Sequence, residues 1–178
     1  MKSTDDPVWR DAVRGLERGD FSASELLFED GSSGAGNRCR IVEWYEMGVF
    51  ENEPKALAEA LSCACFLGRT GVAEFLLDRR VDPAAGIGTG LSAFHWAANR
   101  GNLDTVRLLI ERKAPLEQRN MYGGTVLGCA TWSAMYEPCA DHLEIIEALL
   151  RAGAKIEEAD YPTGIKAVDE VLRRYGAK

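Results

Sequence analysis

The chain has 178 residues, 46% hydrophobic and 28% charged, so it can bury a core and is not a wholesale disordered polypeptide. A net charge of −7 excludes a broad nucleic-acid-binding face, which needs clustered Lys and Arg; the short pairs Arg79-Arg80 and Arg173-Arg174 have acidic neighbours and read as solvated helix faces. No apolar run approaches the ~20 residues that cross a bilayer, and the opening Met-Lys-Ser-Thr-Asp-Asp-Pro lacks the apolar stretch of a secretory signal, so a cytoplasmic chain touching neither nucleic acid nor membrane is expected.

Asp6-Pro7 reads as a helix start, and Val8, Trp9, Ala12, Val13 and Leu16 follow as an apolar stripe. A second helix is predicted over 23–29, a flexible loop over "GSSGAG" (31–36), and another helix over "CRIVEWYEMGVF" (39–50). This last segment can be laid over "IIEALLRAGA" with one slip, which makes it the second helix of a degenerate first repeat.

A repeat follows. Leu61, Phe94 and Leu127 recur every 33 residues, with Gly68 over Gly101, Ala64 over Ala97 and Leu76 over Leu109. The third copy starts in register at "NMYGGTVLGCAT" (120–131) and then carries seven extra residues around "WSAMYEPCAD" (132–141), after which the offset is 40: His142 lies under Asn102 and Leu149 under Leu109. Each copy reads as two short helices joined by a turn, the second with an apolar stripe such as Val106, Leu109 and Ile110. Gly101 sits where the first helix must end. A fourth copy stops after one helix, whose stripe of Ile165, Val168, Leu172 and Tyr175 suits a cap with one wet side.

The whole array resembles ankyrin repeats, whose unit is 33 residues with a T-P-L-H-x-A signature. The signature here is Ser92-Ala93-Phe94-His95-Trp96-Ala97, then Thr125-Val126-Leu127-Gly128-Cys129-Ala130, and the match is strongest over 97–114 and 142–154. Departures are Arg80 and Lys113 in place of the usual glycine after the second helix, and the insertion. The resemblance implies an all-α solenoid of stacked helix-turn-helix units with N- and C-terminal capping helices. All of 1–178 would then form one domain: cap and degenerate repeat over 7–50, repeats over 53–86, 87–119 and 120–159, and a capping helix over 160–178.

The resemblance also assigns His95 to bracing neighbouring turns and Ser92 to capping the first helix. It implies a non-enzymatic module, monomeric when free, that binds a protein partner on the concave side formed by turn tips and first helices. Position by position, that surface comprises Gly88, Thr89 and Leu91 in one turn; Arg119, Met121, Tyr122 and Gly124 in the next; and Phe66, Leu67, Asn99, Arg100, Trp132 and Ser133 on the helices. Trp96 falls in the packed layer. The insertion adds Met135, Tyr136, Glu137 and Pro138 beside Trp132, either overhanging the groove as a pocket or folding back on the core. The overhanging form would suit a small-molecule or peptide sensor, and a self-associating scaffold is a further alternative.

Catalytic, cofactor and metal chemistry is not expected. "GIGTG" (86–90) has no preceding strand to make it a nucleotide loop, and Cys63 and Cys65 point about 200° apart on a helix. Cys139 with His142 has no further ligand nearby, and His95 has no partner nucleophile at a recognisable spacing. Five cysteines at irregular spacing read as reduced, mostly buried thiols. Arg107 with Glu111 and Glu147 with Arg151 are expected to form surface ion pairs at i and i+4.

Overall fold

The structure is a computed structural model that describes residues 22–28, 39–85 and 90–178, together with Pro7, Arg10, Asp11, Arg14, Gly15 and Asp20. The stripe from Val8 to Leu16, the loop at 31–36 and the turn positions Gly88 and Thr89 lie outside the described residues. Within them the chain is helical: α1 Arg40–Glu46, α2 Pro54–Phe66, α3 Thr70–Asp78, α4 Ala93–Asn99, α5 Leu103–Glu111, α6 Val126–Tyr136, α7 His142–Arg151 and α8 Lys166–Arg174. The helix expected over 23–29 is instead a 3-10 turn at Ser22–Leu27. Asp20 accepts from the Ser22 N–H at 3.1 Å and from its hydroxyl at 2.6 Å, a local side-chain pairing that favours a tight turn.

Neither helix of a pair can bury its apolar face alone, and the stack solves this in two layers. The first helices α2, α4 and α6 pack on one another, the second helices α3, α5 and α7 do the same, and each pair is joined across the layers. Leu61, Phe94 and Leu127, the residues that betray the period, occupy equivalent fully buried places, each worth about 2–3 kcal/mol of burial. The fold is the expected α-solenoid.

Short turns hold the layers in register. Gly68 and Gly101 end their first helices at φ 66° and 72°, the left-handed conformation that costs an L side chain about 1–2 kcal/mol. A Cβ at Gly68 would also stand 2.8 Å from Asn102 Oδ1. Asn102 must be that close because its amide donates to the carbonyls of Cys65 at 2.7 Å and Phe66 at 3.0 Å, satisfying the open end of α2 from the following repeat. His142, aligned with Asn102, does the same one unit on: its Nε2–H donates to the Asn99 carbonyl at 3.0 Å while Nδ1 accepts from the Cys139 N–H at 3.0 Å. After the second helices the left-handed position is held by Arg80 (φ 63°) and Lys113 (φ 57°) in two copies, and by Gly153 in the third, as by Gly48 (φ 75°) after α1.

The second-helix layer is laced across repeats. The Tyr45 ring of α1 meets Phe75 of α3 edge-on at 5.5 Å, and the Arg79 guanidinium lies over both. Arg112 reaches back to Glu74 and Asp78 at 3.2 and 2.6 Å, and Arg174 reaches Glu147 at 3.1 Å. The expected Arg107–Glu111 pair does not form. Arg107 turns instead to Glu144 of the next repeat and to Asp104, because the neighbouring helix presents a carboxylate directly across the layer. The Glu147–Arg151 pair does form, at 2.8 Å. These exposed contacts contribute a few tenths of a kcal/mol each. The stack ends on α8, which buries Val168, Val171 and Leu172 and half-buries Ile165 and Tyr175, while Lys166, Arg173 and Arg174 face water.

Candidate functional site

His95 is fully buried, and both its nitrogens are engaged within the fold. Nε2 lies 3.2 Å from the Gly124 carbonyl, which can only accept, so Nε2 carries the proton; Nδ1 then accepts from the Ser92 hydroxyl at 2.8 Å. Burial, the largest influence, lowers the imidazole pKa below its usual value and keeps the ring neutral. Ser92 sits at the N-cap of α4 with extended backbone, but its hydroxyl goes to His95 rather than to a backbone N–H as expected. Thr125 does cap α6, accepting from the Gly128 N–H at 3.3 Å.

The third copy has glycine where the signature has histidine, and the reason is steric. A Cβ at Gly128 would stand 2.9 Å from the Glu158 carbonyl, so the following turn closes directly on the helix. The brace moves one helical turn along, to Thr131, whose hydroxyl accepts from the Asp160 N–H at 3.1 Å. No lone period or motif could have signalled that transfer.

The expected surface positions separate into three groups. Met121, Tyr122, Trp132 and Tyr136 are exposed at 66, 80, 45 and 66%. Arg100 is exposed with its guanidinium 4.9 Å from the Phe66 ring, and Arg119 is exposed but tied to the Gly123 carbonyl at 2.6 Å and to Glu158 at 2.7 Å. Asn99, Phe66, Leu67 and Gly124 are half-buried. Leu91 and Ser133 are not exposed, contrary to expectation. Leu91 turns its aliphatic side chain inward beside buried Ser92, and the Ser133 hydroxyl is held against α4 as acceptor of the Asn99 amide at 2.8 Å. Trp96 is half-buried against the core, edge-on to Phe66 at 5.1 Å.

The insertion lengthens the first helix. α6 has 11 residues against 7 in α4, and its last turn carries Tyr136 at i+4 from Trp132, their rings 5.1 Å apart and tilted by 39°. Residues 136–141 are exposed and do not fold back on the core, although Met135 is half-buried. Met121, at the turn tip, is fixed to the preceding turn: its N–H donates to the Gly90 carbonyl at 2.8 Å and its Sδ lies where a Cβ on Gly90 would be. Asn120 Oδ1 accepts from the N–H groups of Tyr122 and Gly124 at 2.9 and 3.0 Å, which holds the tip rigid.

The cysteines behave as packing groups. Cys39, Cys63, Cys65 and Cys129 are buried free thiols and Cys139 is an exposed one. Burial pushes Cys129 up to about 12, and burial with the neighbouring Cys63 raises Cys65 further, so both stay protonated at neutral pH. Among the described residues no group of three or more His, Cys, Asp or Glu side chains could hold a metal ion, and no helix is long and apolar enough to cross a membrane.

The family pattern described as ankyrin repeats, in three copies, matches residues 61–160. The chain belongs to the ankyrin-repeat family. Ankyrin repeats generally mediate protein–protein interaction and are typically non-catalytic. Among curated proteins the chain is similar to a probable E3 ubiquitin-protein ligase of Oryza sativa subsp. japonica, 35% identical over 77 residues, which is 43% of this chain. The matched stretch spans only about 14% of that relative's length.

Proposed function

We propose that this ankyrin array is a non-enzymatic interaction module, monomeric when free, whose concave side captures one protein partner. The observation that carries the reading is the Trp132–Tyr136 pair, two large aromatic side chains left in water on a first helix that has grown a turn beyond the standard unit. Met121 and Tyr122 at the turn tip extend the same apolar character, and Asn99, Arg100 and Arg119 supply its polar rim. Exposed aromatic side chains of this size act as anchors in interfaces, and a rigid scaffold loses little entropy when they are covered. Four buried free thiols suit a reducing, cytoplasmic compartment.

The test is affinity purification from the native cell with the wild-type chain and with a Trp132→Ala/Tyr122→Ala variant. The variant should lose its partners while its melting temperature moves by only a few degrees, since both side chains are substantially exposed. Recovery of the same partners at the same strength would remove this face from consideration.

A further inference from the structure

We infer that the occupant of this face is a cationic peptide segment, which lays an Arg or Lys side chain on Trp132 and Tyr136 and pairs it with Glu137 or Asp141. The inference rests on the reading of the face as a protein-binding surface and adds the chemistry of the partner.

Charge is distributed unevenly along the array. Residues 120–150 contain four carboxylates and neither Lys nor Arg. Two of the four are neutralised across the second-helix layer: Glu144 by Arg107, and Glu147 by Arg151 and Arg174. Arg119, at the border of the stretch, is itself neutralised by Glu158. Glu137 and Asp141, on the inserted segment, are exposed, and no ion pair among the described residues reaches them.

The aromatic side chains show a complementary pattern. Elsewhere four rings carry one of the protein's own guanidinium groups: Arg40 lies over buried Trp44, Arg79 over Tyr45 and Phe75, and Arg100 over half-buried Phe66. The face of an aromatic ring attracts a cation, most strongly for Trp, and water competes less once the pair is covered. Among the described residues no guanidinium or ammonium covers Trp132 or Tyr136, which stand on the same stretch of chain, 132–141, as the two unneutralised carboxylates. An incoming Arg or Lys would complete there the stack that Arg100 makes on Phe66, the equivalent position two repeats earlier. A chain of net charge −7 also draws cationic segments toward it from a distance.

The probes are short fluorescein-labelled peptides of equal length and apolar content carrying arginine, citrulline or glutamate at the same positions, titrated against the full chain. The arginine peptide should bind at least about tenfold tighter than the citrulline one, a difference of about 1.4 kcal/mol, and should weaken as salt is raised. Glu137→Gln with Asp141→Asn should reduce its affinity about fivefold, and Tyr136→Ala by a similar factor, with helicity by circular dichroism unchanged. Arginine-peptide binding that survives both Trp132→Ala and Tyr136→Ala would show attraction to net charge alone and overturn the inference. Equal or tighter binding of citrulline or glutamate peptides, lost on Trp132→Ala, would also overturn it while leaving the face a protein-binding surface. Failure of the arginine peptide to bind at all overturns it too, and the purification described above decides separately whether the face binds protein.

Discussion

A neutral His95 imidazole can satisfy Ser92 and Gly124 together only with its proton on Nε2, and burial favours that neutral form. Its pKa is lowered in the fold from about 6.5 in the unfolded chain, so the stability it confers is fully present above that value and is lost as pH falls below it toward the folded pKa. His95→Leu removes two buried hydrogen bonds and should cost about 2 kcal/mol at pH 7 in urea unfolding. The gap between wild type and variant should narrow as the pH is lowered from 7 to 5; a gap that stays constant would contradict the assignment. His95 was legible in the sequence because its signature neighbours recur. Ser133 and Leu91 were not, since the repeat frame marks both as surface and only the positions of Asn99 and of the inward-turned leucine side chain reveal otherwise.

Helices in this array are ended and joined by small, repeated devices, and the sequence shows the device more readily than its partner. Gly101 was identifiable as a helix stop, yet the side chain that a Cβ there would strike comes from the insertion: it would lie 2.0 Å from Cys139 Sγ. Gly101→Ala should therefore destabilise by about 2 kcal/mol or more, from backbone strain and from this collision together. Adding Cys139→Ala should recover part of the loss, leaving the share due to φ, whereas Cys139→Ala alone should change stability by less than about 1 kcal/mol. A purely additive double mutant, measured by chemical denaturation, would show that the two sites do not touch. The same logic explains why the second-helix ion pairs were only half predictable. Spacing along one helix suggested Arg107 with Glu111, but a carboxylate on the adjacent helix competes on equal terms, and sequence carries no distance across a layer.

As a whole the molecule is a one-dimensional stack, so its stability is a sum of units and of the surfaces between them. The period in the sequence was sufficient to read that architecture, since a shared core requires the same apolar positions in every unit; the faces left open for a partner required coordinates. Deleting residues 160–178 removes α8 and uncovers the apolar side of α7. Losing the burial of Val168, Val171 and Leu172 should cost about 3 kcal/mol net and lower the melting temperature by about 10 °C, with dye-binding apolar surface appearing before the main transition. An unchanged melting curve would mean that the last helix shields nothing.

The longer α6 has one further consequence. Because His142 fastens to the Asn99 carbonyl only after the extra residues have looped out, the units on either side remain in phase however long the detour is. The stretch from Tyr136 to Pro138, ahead of the Cys139 N–H that holds His142, is thus a graft point: its length and chemistry can diverge, or be redesigned, without re-tuning the scaffold that carries it.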